Sequence, residues 1–364
     1  MSLGYNGETY DVVQIQYAVI MFAYPHGNGS PPRGPAEPHN KALGTARPAG
    51  RTVRTEPSQL RRIDKSSEFF DLTYFDPPKG LERHVLALFD VHYHEEVWED
   101  RHPAAMGQLL ITVKGSGCAR FGERLDEFGP KPILFNGFEV AAPHTLYGPS
   151  RFIGASFSPI GWAALTQVSV KDYRDRVVPA CELLGEEVDF FTGDLIARCN
   201  QGRISGEQAC LELAEWIRPR LRPIPEEHQR VIELVLAWLG SSLNPSIDAL
   251  FEGQPYSRRQ TERLVQRYFG FAPRALARKF RAVRAANLLA QPDLTYEAEA
   301  ELAEAFVDQP HMIKEIRRFC GYTPSRLGGD EDPMFIRLTH LQNLDRLTPY
   351  RTLGADARVD DSSR

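Results

Sequence analysis

Two sets of residues in this 364-residue chain could do chemistry. The larger lies between Ser257 and Arg284, where nine basic residues (Arg258, Arg259, Arg263, Arg267, Arg274, Arg278, Lys279, Arg281 and Arg284) face a single acid, Glu262. Guanidinium groups at this density attract a polyanion, and each phosphate neutralised on a duplex adds to a salt-dependent affinity. The surrounding stretch from Glu226 to Leu327 is nearly balanced, with 14 basic and 13 acidic residues, and the whole chain carries a net charge of −5. The positive charge is therefore concentrated on one segment, and for a nucleic-acid partner its distribution matters more than its sum. The smaller set is His92-Tyr93-His94 with Glu99. Two imidazoles at i and i+2 share one face of a strand and could grip a divalent metal together with the carboxylate.

The elements that must position the arginines follow from helical periodicity and punctuation. Glu226 to Gly240 reads as a helix with Val231, Val235 and Leu239 inward. Ile247 to Glu252 is a short second helix, and a turn through Gly253 and Pro255 follows it. Ser257 is suited to cap a third helix, Arg258 to Phe269, stopped by Gly270. Two helices joined by a tight Gly-containing turn form the helix-turn-helix pattern. Pro273 then opens a longer helix, Arg274 to Leu289, with Leu276, Phe280 and Val283 inward and Arg274, Arg278 and Arg281 on another side. At 1.5 Å per residue it spans roughly 25 Å, the order needed to hold two reading helices about 34 Å apart, one turn of DNA. The unit then repeats: Glu297 to Phe306, a cap at Asp308, and Gln309 to Phe319 ending at Gly321. Met312, Ile316 and Phe319 form the inner stripe of that last helix, leaving Gln309, Lys314, Arg317 and Arg318 for contact.

This region resembles the DNA-binding part of the AraC/XylS family of transcription regulators. The residues that carry the resemblance are Ser257-Arg258-Arg259-Gln260 with Arg263, Gly270-Phe271-Ala272-Pro273, Phe306-Val307-Asp308-Gln309-Pro310-His311, and Phe319-Cys320-Gly321-Tyr322-Thr323-Pro324. The resemblance implies two helix-turn-helix units joined by a bridging helix, each placing its second helix in a major groove of duplex DNA. It implies base contacts from Arg259, Glu262 and Arg263 in the first unit and from Gln309 and Lys314 in the second. Arg258, Arg267, Arg278, Arg281 and Arg317 complete the expected DNA-binding set. Thr261 and Val265 stand where the family favours Leu and an aromatic, which implies a more loosely packed first reading helix. Ala305 replaces the usual Gly before Phe306, and Glu297, Glu299, Glu301 and Glu304 should repel phosphate. The first unit is therefore expected to supply most of the affinity.

Upstream, between about Phe69 and Pro159, short apolar runs (Val85–Phe89, Gln108–Val113, Pro132–Phe135, Phe152–Phe157) alternate with Gly-rich turns. That spacing predicts an antiparallel sandwich or barrel. His92, His94 and Glu99 resemble the first metal-binding motif of cupins, with Leu86 where that motif opens on Gly; His144 is a weakly supported third imidazole. A metal-dependent enzyme is therefore the alternative reading of this domain. The favoured one, implied by the family resemblance, is a domain that senses a small-molecule effector or mediates homodimer formation. Its interior aromatics are expected to be Phe89, Tyr93, Trp98, Phe135 and Phe157.

The expected fold class is α+β: a cupin-like barrel or sandwich over residues 66–222, then an all-α domain over 226–327. Residues 1–65 are expected to be a flexible extension and 328–364 a tail. The segment Gly115-Ser116-Gly117 lacks a nucleotide-binding context, and no GxxxxGK[ST], serine elbow or HExxH occurs. No catalytic set, cofactor or metal site is expected. Five widely spaced cysteines without a CxxC pair fit a reducing, cytoplasmic compartment. The early apolar run Val12 to Tyr24 has no preceding Lys or Arg and is too short for a bilayer, so no membrane association is expected.

Overall fold

The computed structural model describes residues 60, 62–66, 69–103, 107–290 and 296–327. Residues 1–59 of the expected extension, with the early apolar run they contain, and the tail expected from residue 328 lie outside the described residues. Nine strands form one antiparallel sheet: β1 (Arg62–Ser66), β2 (Phe70–Phe75), β3 (Val85–Tyr93), β4 (Val97–His102), β5 (Gln108–Phe121), β6 (Arg124–Phe128), β7 (Pro132–Phe135), β8 (Ala142–Phe157) and β9 (Val177–Pro179). The main order is β1-β2-β3-β8-β5-β7-β9, with β4 on β8 and β6 on β5. Among the described residues the sheet thus begins at Arg62, inside the stretch expected to be an extension through residue 65.

Two long strands bend this sheet over itself. β5 and β8 pair along nearly their whole length, but their register shifts between Thr112 and Lys114 and again between Lys114 and Ser116. Gly115 sits in that irregularity at φ +83°, and a Cβ there would come within 2.6 Å of Ser150 Cβ and of the Tyr147 carbonyl. Only glycine fits both the backbone angle and the close approach. On one side of the bend β8 pairs with β3; on the other it pairs with β4, which brings Trp98 against the rings of Phe69, Phe70 and Tyr93. Phe70, Leu72, Tyr74, Phe89, Val91, Tyr93 and Phe152 fill the inner side. Phe157, by contrast, faces the outer side with Val85, Leu88, Leu109 and Ile153. Because β3 is buried on both faces, Val85–Phe89 reads as a continuous apolar run rather than an alternating one.

Helices cover the outer side: α1 (Pro159–Thr166), α2 (Val170–Tyr173), α3 (Cys181–Leu184), α4 (Glu187–Asn200) and α5 (Gly206–Ile217). On α5, Ala209, Leu213, Trp216 and Ile217 are buried, a stripe at helical spacing. The amino end of α5 sits on Asp90, a buried carboxylate that accepts two hydrogen bonds from Arg151 at 3.0 and 2.9 Å. A Cβ at Gly206 would lie 1.9 Å from Asp90 Oδ2. Gly206→Ala should therefore lower stability by about 1–3 kcal/mol, the cost of overpacking a site whose neighbour cannot move. Urea denaturation checks this; an unchanged midpoint would show that Asp90 yields.

The second half is helical: α6 (Glu226–Gly240), α7 (Ile247–Phe251), α8 (Arg258–Phe269), α9 (Pro273–Leu289), α10 (Tyr296–Ala305), α11 (Gln309–Cys320) and α12 (Pro324–Leu327). Its first cluster joins α6, α8 and α9 and takes in Ile160 and Ala163 of α1. The second joins α9, α10 and α11. The proline-rich segment after α5 is thus a chain boundary but not a packing boundary, because α1 belongs to the core of the first helical unit. Among the described residues no helix is long and apolar enough to cross a membrane.

Candidate nucleic-acid interface

The first unit is α7, a turn containing Gly253 at φ +72°, and α8. Ser257 has the extended backbone of an N-cap, but its side chain makes no capping hydrogen bond. At the other end Gly270 adopts φ +82° and its N–H returns to the Gln266 carbonyl, closing the helix as an αL cap. Thr261, Leu264, Val265, Tyr268 and Phe269 are buried. Thr261 and Val265, the two departures from the family pattern, are completely enclosed in the core. The opposite face exposes Arg258, Arg259, Gln260, Arg263 and Arg267, with Glu262 half-buried among them. Arg258 is partly committed: it reaches Asp248 at 3.2 Å and lies 4.4 Å over the Phe251 ring. Arg267 lies over Tyr268 at 5.7 Å.

The second unit is α10, a turn, and α11. Asp308 caps α11 by accepting from the His311 N–H at 2.7 Å, and Gly321 at φ +88° ends it. Lys314, Arg317 and Arg318 are exposed, and Gln309 is half-buried at the amino end. On α10, Glu297 and Glu304 are exposed, whereas Glu301 is tied to the segment between α6 and α7 by accepting from the Leu243 N–H at 2.6 Å. Tyr296, not included in the sequence reading of this helix, is its first residue.

The bridging helix α9 corrects the expected phosphate-facing cluster. Of the nine basic residues between Ser257 and Arg284, Lys279 and Arg284 are buried. Arg284 donates to the carbonyls of Leu239 (3.2 Å) and Ser242 (2.6 Å), joining α9 to the end of α6. Lys279 donates to the Phe138 carbonyl at 3.1 Å. Arg281 is only 15% exposed; it bonds Asn244 at 3.0 Å and lies 3.6 Å from Glu315. Arg278 is half exposed but holds Glu315 through Nε at 2.6 Å and through Nη2. Arg281 is thus nearly enclosed, and Arg278, although half exposed, is tied to Glu315. The reason is Glu315, an acid on α11 with no exposed surface, which needs both guanidinium groups as counter-charges. Helical spacing could have found it: Glu315 is one turn from Met312 and Phe319 on the inner stripe. Lys279 likewise lies one turn from Leu276 and Val283.

The imidazoles of the expected cupin-like motif, His92 and His94, do not assemble with Glu99 into a metal site. His92 and His94 point outward, pairing with Asp90 at 3.3 Å and Asp71 at 3.2 Å, while Tyr93 between them turns into the aromatic interior. Among the described residues no group of three or more His, Cys, Asp or Glu is placed to hold a metal ion. Trp98 and Phe135 lie in or against the inner clusters, as expected of interior aromatics. Cys118 is buried.

A β-sheet domain followed by two helix-turn-helix units on one bridging helix defines a DNA-binding architecture. Residues 255–328 match the family model described as a helix-turn-helix domain. Over 139 residues the chain is 32% identical to the HTH-type transcriptional regulator GbdR of Pseudomonas aeruginosa; the match covers 34% of this chain and 37% of GbdR. The chain thus spans little more than a third of that relative. Among solved structures, ToxT from Vibrio cholerae O395 aligns with a TM-score of 0.38 and 9% identity, covering 68% of this chain and 98% of ToxT. The AraC-like transcriptional activator CuxR aligns with a TM-score of 0.28 and 14% identity, covering 62% of this chain and 85% of CuxR.

Proposed function

We propose that the chain is a cytoplasmic, sequence-specific transcription regulator that places α8 and α11 in successive major grooves of a duplex operator. The observation that carries this is the outward face of α8: four arginines projecting from a short, glycine-terminated helix whose other face is locked into a core. Arg259, Glu262 and Arg263 read bases in the first groove, and Gln309 and Lys314 in the second. Arg258, Arg267 and Arg317 serve phosphates, the contacts that fix register without carrying sequence information. Arg278 and Arg281 hold α11 in place for this task instead of touching DNA. The first unit supplies most of the affinity, because the second pairs its cationic reading helix with an acidic first helix. The name of GbdR, a transcriptional regulator, supports the same reading. The amino-terminal domain senses a small molecule or joins two copies of the chain.

Arg263→Ala tests the base-reading role. A bidentate arginine–guanine contact is worth about 1–3 kcal/mol of discrimination. The variant should therefore bind a selected operator roughly 5- to 150-fold more weakly while its affinity for random duplex changes little. Fluorescence anisotropy on both duplexes at one stated salt concentration measures this. Equal weakening on the two would move Arg263 to the phosphate backbone, and no preference by the unmodified protein for any selected duplex would remove the regulator reading altogether.

A further inference from the structure

The carboxy-terminal caps of both reading helices rest on the β domain. At the end of α8, the Gly270 carbonyl accepts from Arg174 at 3.2 Å, and Gly270 lies against Val170 of α2. At the end of α11, the Arg318 carbonyl accepts from the Ala141 N–H at 3.0 Å, and the Arg318 side chain reaches Glu139 at 3.2 Å. Gly321 abuts Arg101 of β4, and the Tyr322 hydroxyl donates to Asp100. Between these two points Lys279 of α9 buries its ammonium against the Phe138 carbonyl and the Phe271 ring, 4.7 Å from the ring centre. Two glycine caps on two separate helices, held by one domain with a lysine enclosed between them, form a clamp.

We infer that this clamp between the β domain and both reading helices is released by acid. While it is closed, α8 and α11 keep one fixed separation; once open, the pair is held together by α9 alone. The physical reason is that the closed interface encloses bases and leaves them little counter-charge. Burial pushes Lys279 down from 10.5 to about 7, and Asp175 and Cys320, the groups facing it that favour the charge, do not offset this. Burial likewise pushes His102 on β4 down to about 4, with His144 and Lys279 adding in the same direction and the Pro103 carbonyl and Asp100 opposing. His144 on β8, whose ring centre lies 6.3 Å from that of His102, is lowered by burial against the opposing charge of Asp100. Tyr322 is raised by burial and by Asp100 and stays a neutral donor over the whole range. Arg318 and Glu139 are an exposed pair.

All three lowered groups act with one sign. A base whose closed-state pKa lies below its free value stabilises the closed state fully above the free value, and that stabilisation is lost as pH falls toward the closed value. For Lys279 the window runs from 10.5 down to about 7, and for His102 from 6.5 down to about 4. Lys279 alone then weakens closure on the order of 100-fold between roughly pH 9 and pH 6.

Hydrogen exchange on the full chain reads this contact directly and needs no DNA, so its outcome is independent of the regulator reading. The Ala141 amide, bonded across the interface to Arg318, should lose protection on the order of 100-fold between roughly pH 9 and pH 6, after correction for the intrinsic rate. Amides of Phe152–Phe157 in the sheet interior should keep theirs. Lys279→Met, checked for folding by those same sheet amides, should show a flat Ala141 profile over this range, with any fall delayed to the histidine window below 6.5. Constant Ala141 protection in the unmodified protein overturns the inference, whether or not the variant folds; so does a folded variant that loses protection in parallel with it.

Discussion

Glu315→Ala should lower the stability of the second helix-turn-helix unit by about 3 kcal/mol, the penalty for removing one partner of a buried ion pair. The carboxylate has no exposed surface and is held by Arg278 on one side, with Arg281 at 3.6 Å on the other. Without it, Arg281 is left nearly enclosed with only Asn244 and the Phe306 ring, 5.0 Å from its guanidinium carbon, as neighbours. Arg278, being half exposed, recovers hydration and limits the loss. Burial on its own would raise the Glu315 carboxyl, but the hydrogen bonds and charge of Arg278, followed by the charge of Arg281, hold it below the ordinary 4.5. The contribution is therefore complete above pH 4.5 and disappears as pH falls through the lowered value. Thermal melting at pH 7 and again near pH 4 gives both magnitude and sign, and exchange on α10 and α11 shows where the loss falls. A melting curve matching that of the unmodified protein at pH 7 would mean that the carboxylate is not holding the two arginines. Operator affinity should also drop, because α11 would no longer be fixed on α9.

The second large effect is expected at Trp162. This side chain is 1% exposed and fills the outer core beneath the sheet, and a Cβ at Gly107 would touch its ring at 2.3 Å. It also borders a small cavity of about 30 Å³, shared with Tyr268 of α8 and Leu276 and Lys279 of α9. Truncating a buried tryptophan costs about 3–5 kcal/mol, because neighbours this constrained collapse only partly into the space. Trp162→Ala should thus lower the melting temperature by roughly 10 °C for a domain of this size. Since Trp162 lines one cavity together with residues of α8 and α9, both halves should lose stability together. A loss confined to the sheet, as followed by exchange in α8 and β5, would show that the two halves melt separately.

Much of the helical domain was legible from residue order alone, and the reasons are local. Helix boundaries at Gly270, Pro273, Asp308 and Gly321 follow from backbone chemistry that each residue carries with it: an oxygen near orphan N–H groups, tolerance of positive φ, a missing donor. The inner stripes of α8 and α11 follow from a 3.6-residue period. In the sheet, Pro132–Phe135 was readable because turn residues bracket it. Between Pro159 and Asn200, α2 and α3 are four residues each, too short to express a period. The outward direction of His92 and His94 was equally hidden, since alternation says that they share a face but not which face is buried.

Order along the chain determined where charge accumulates, where each helix stops and which stripe of it avoids water, all of which depend on neighbours a few residues away. Only the folded molecule decided which cations remain available. Arg258, Arg259, Arg263 and Arg267 stay outside, whereas Arg278, Arg281, Lys279 and Arg284 turn to partners 37, 37, 141 and 45 residues distant in sequence. A guanidinium beside water and one beside a buried carboxylate are the same letter in the sequence. The cost of leaving Glu315 without a counter-charge is what holds Arg278 and Arg281 against it, while the arginines of α8 stay exposed.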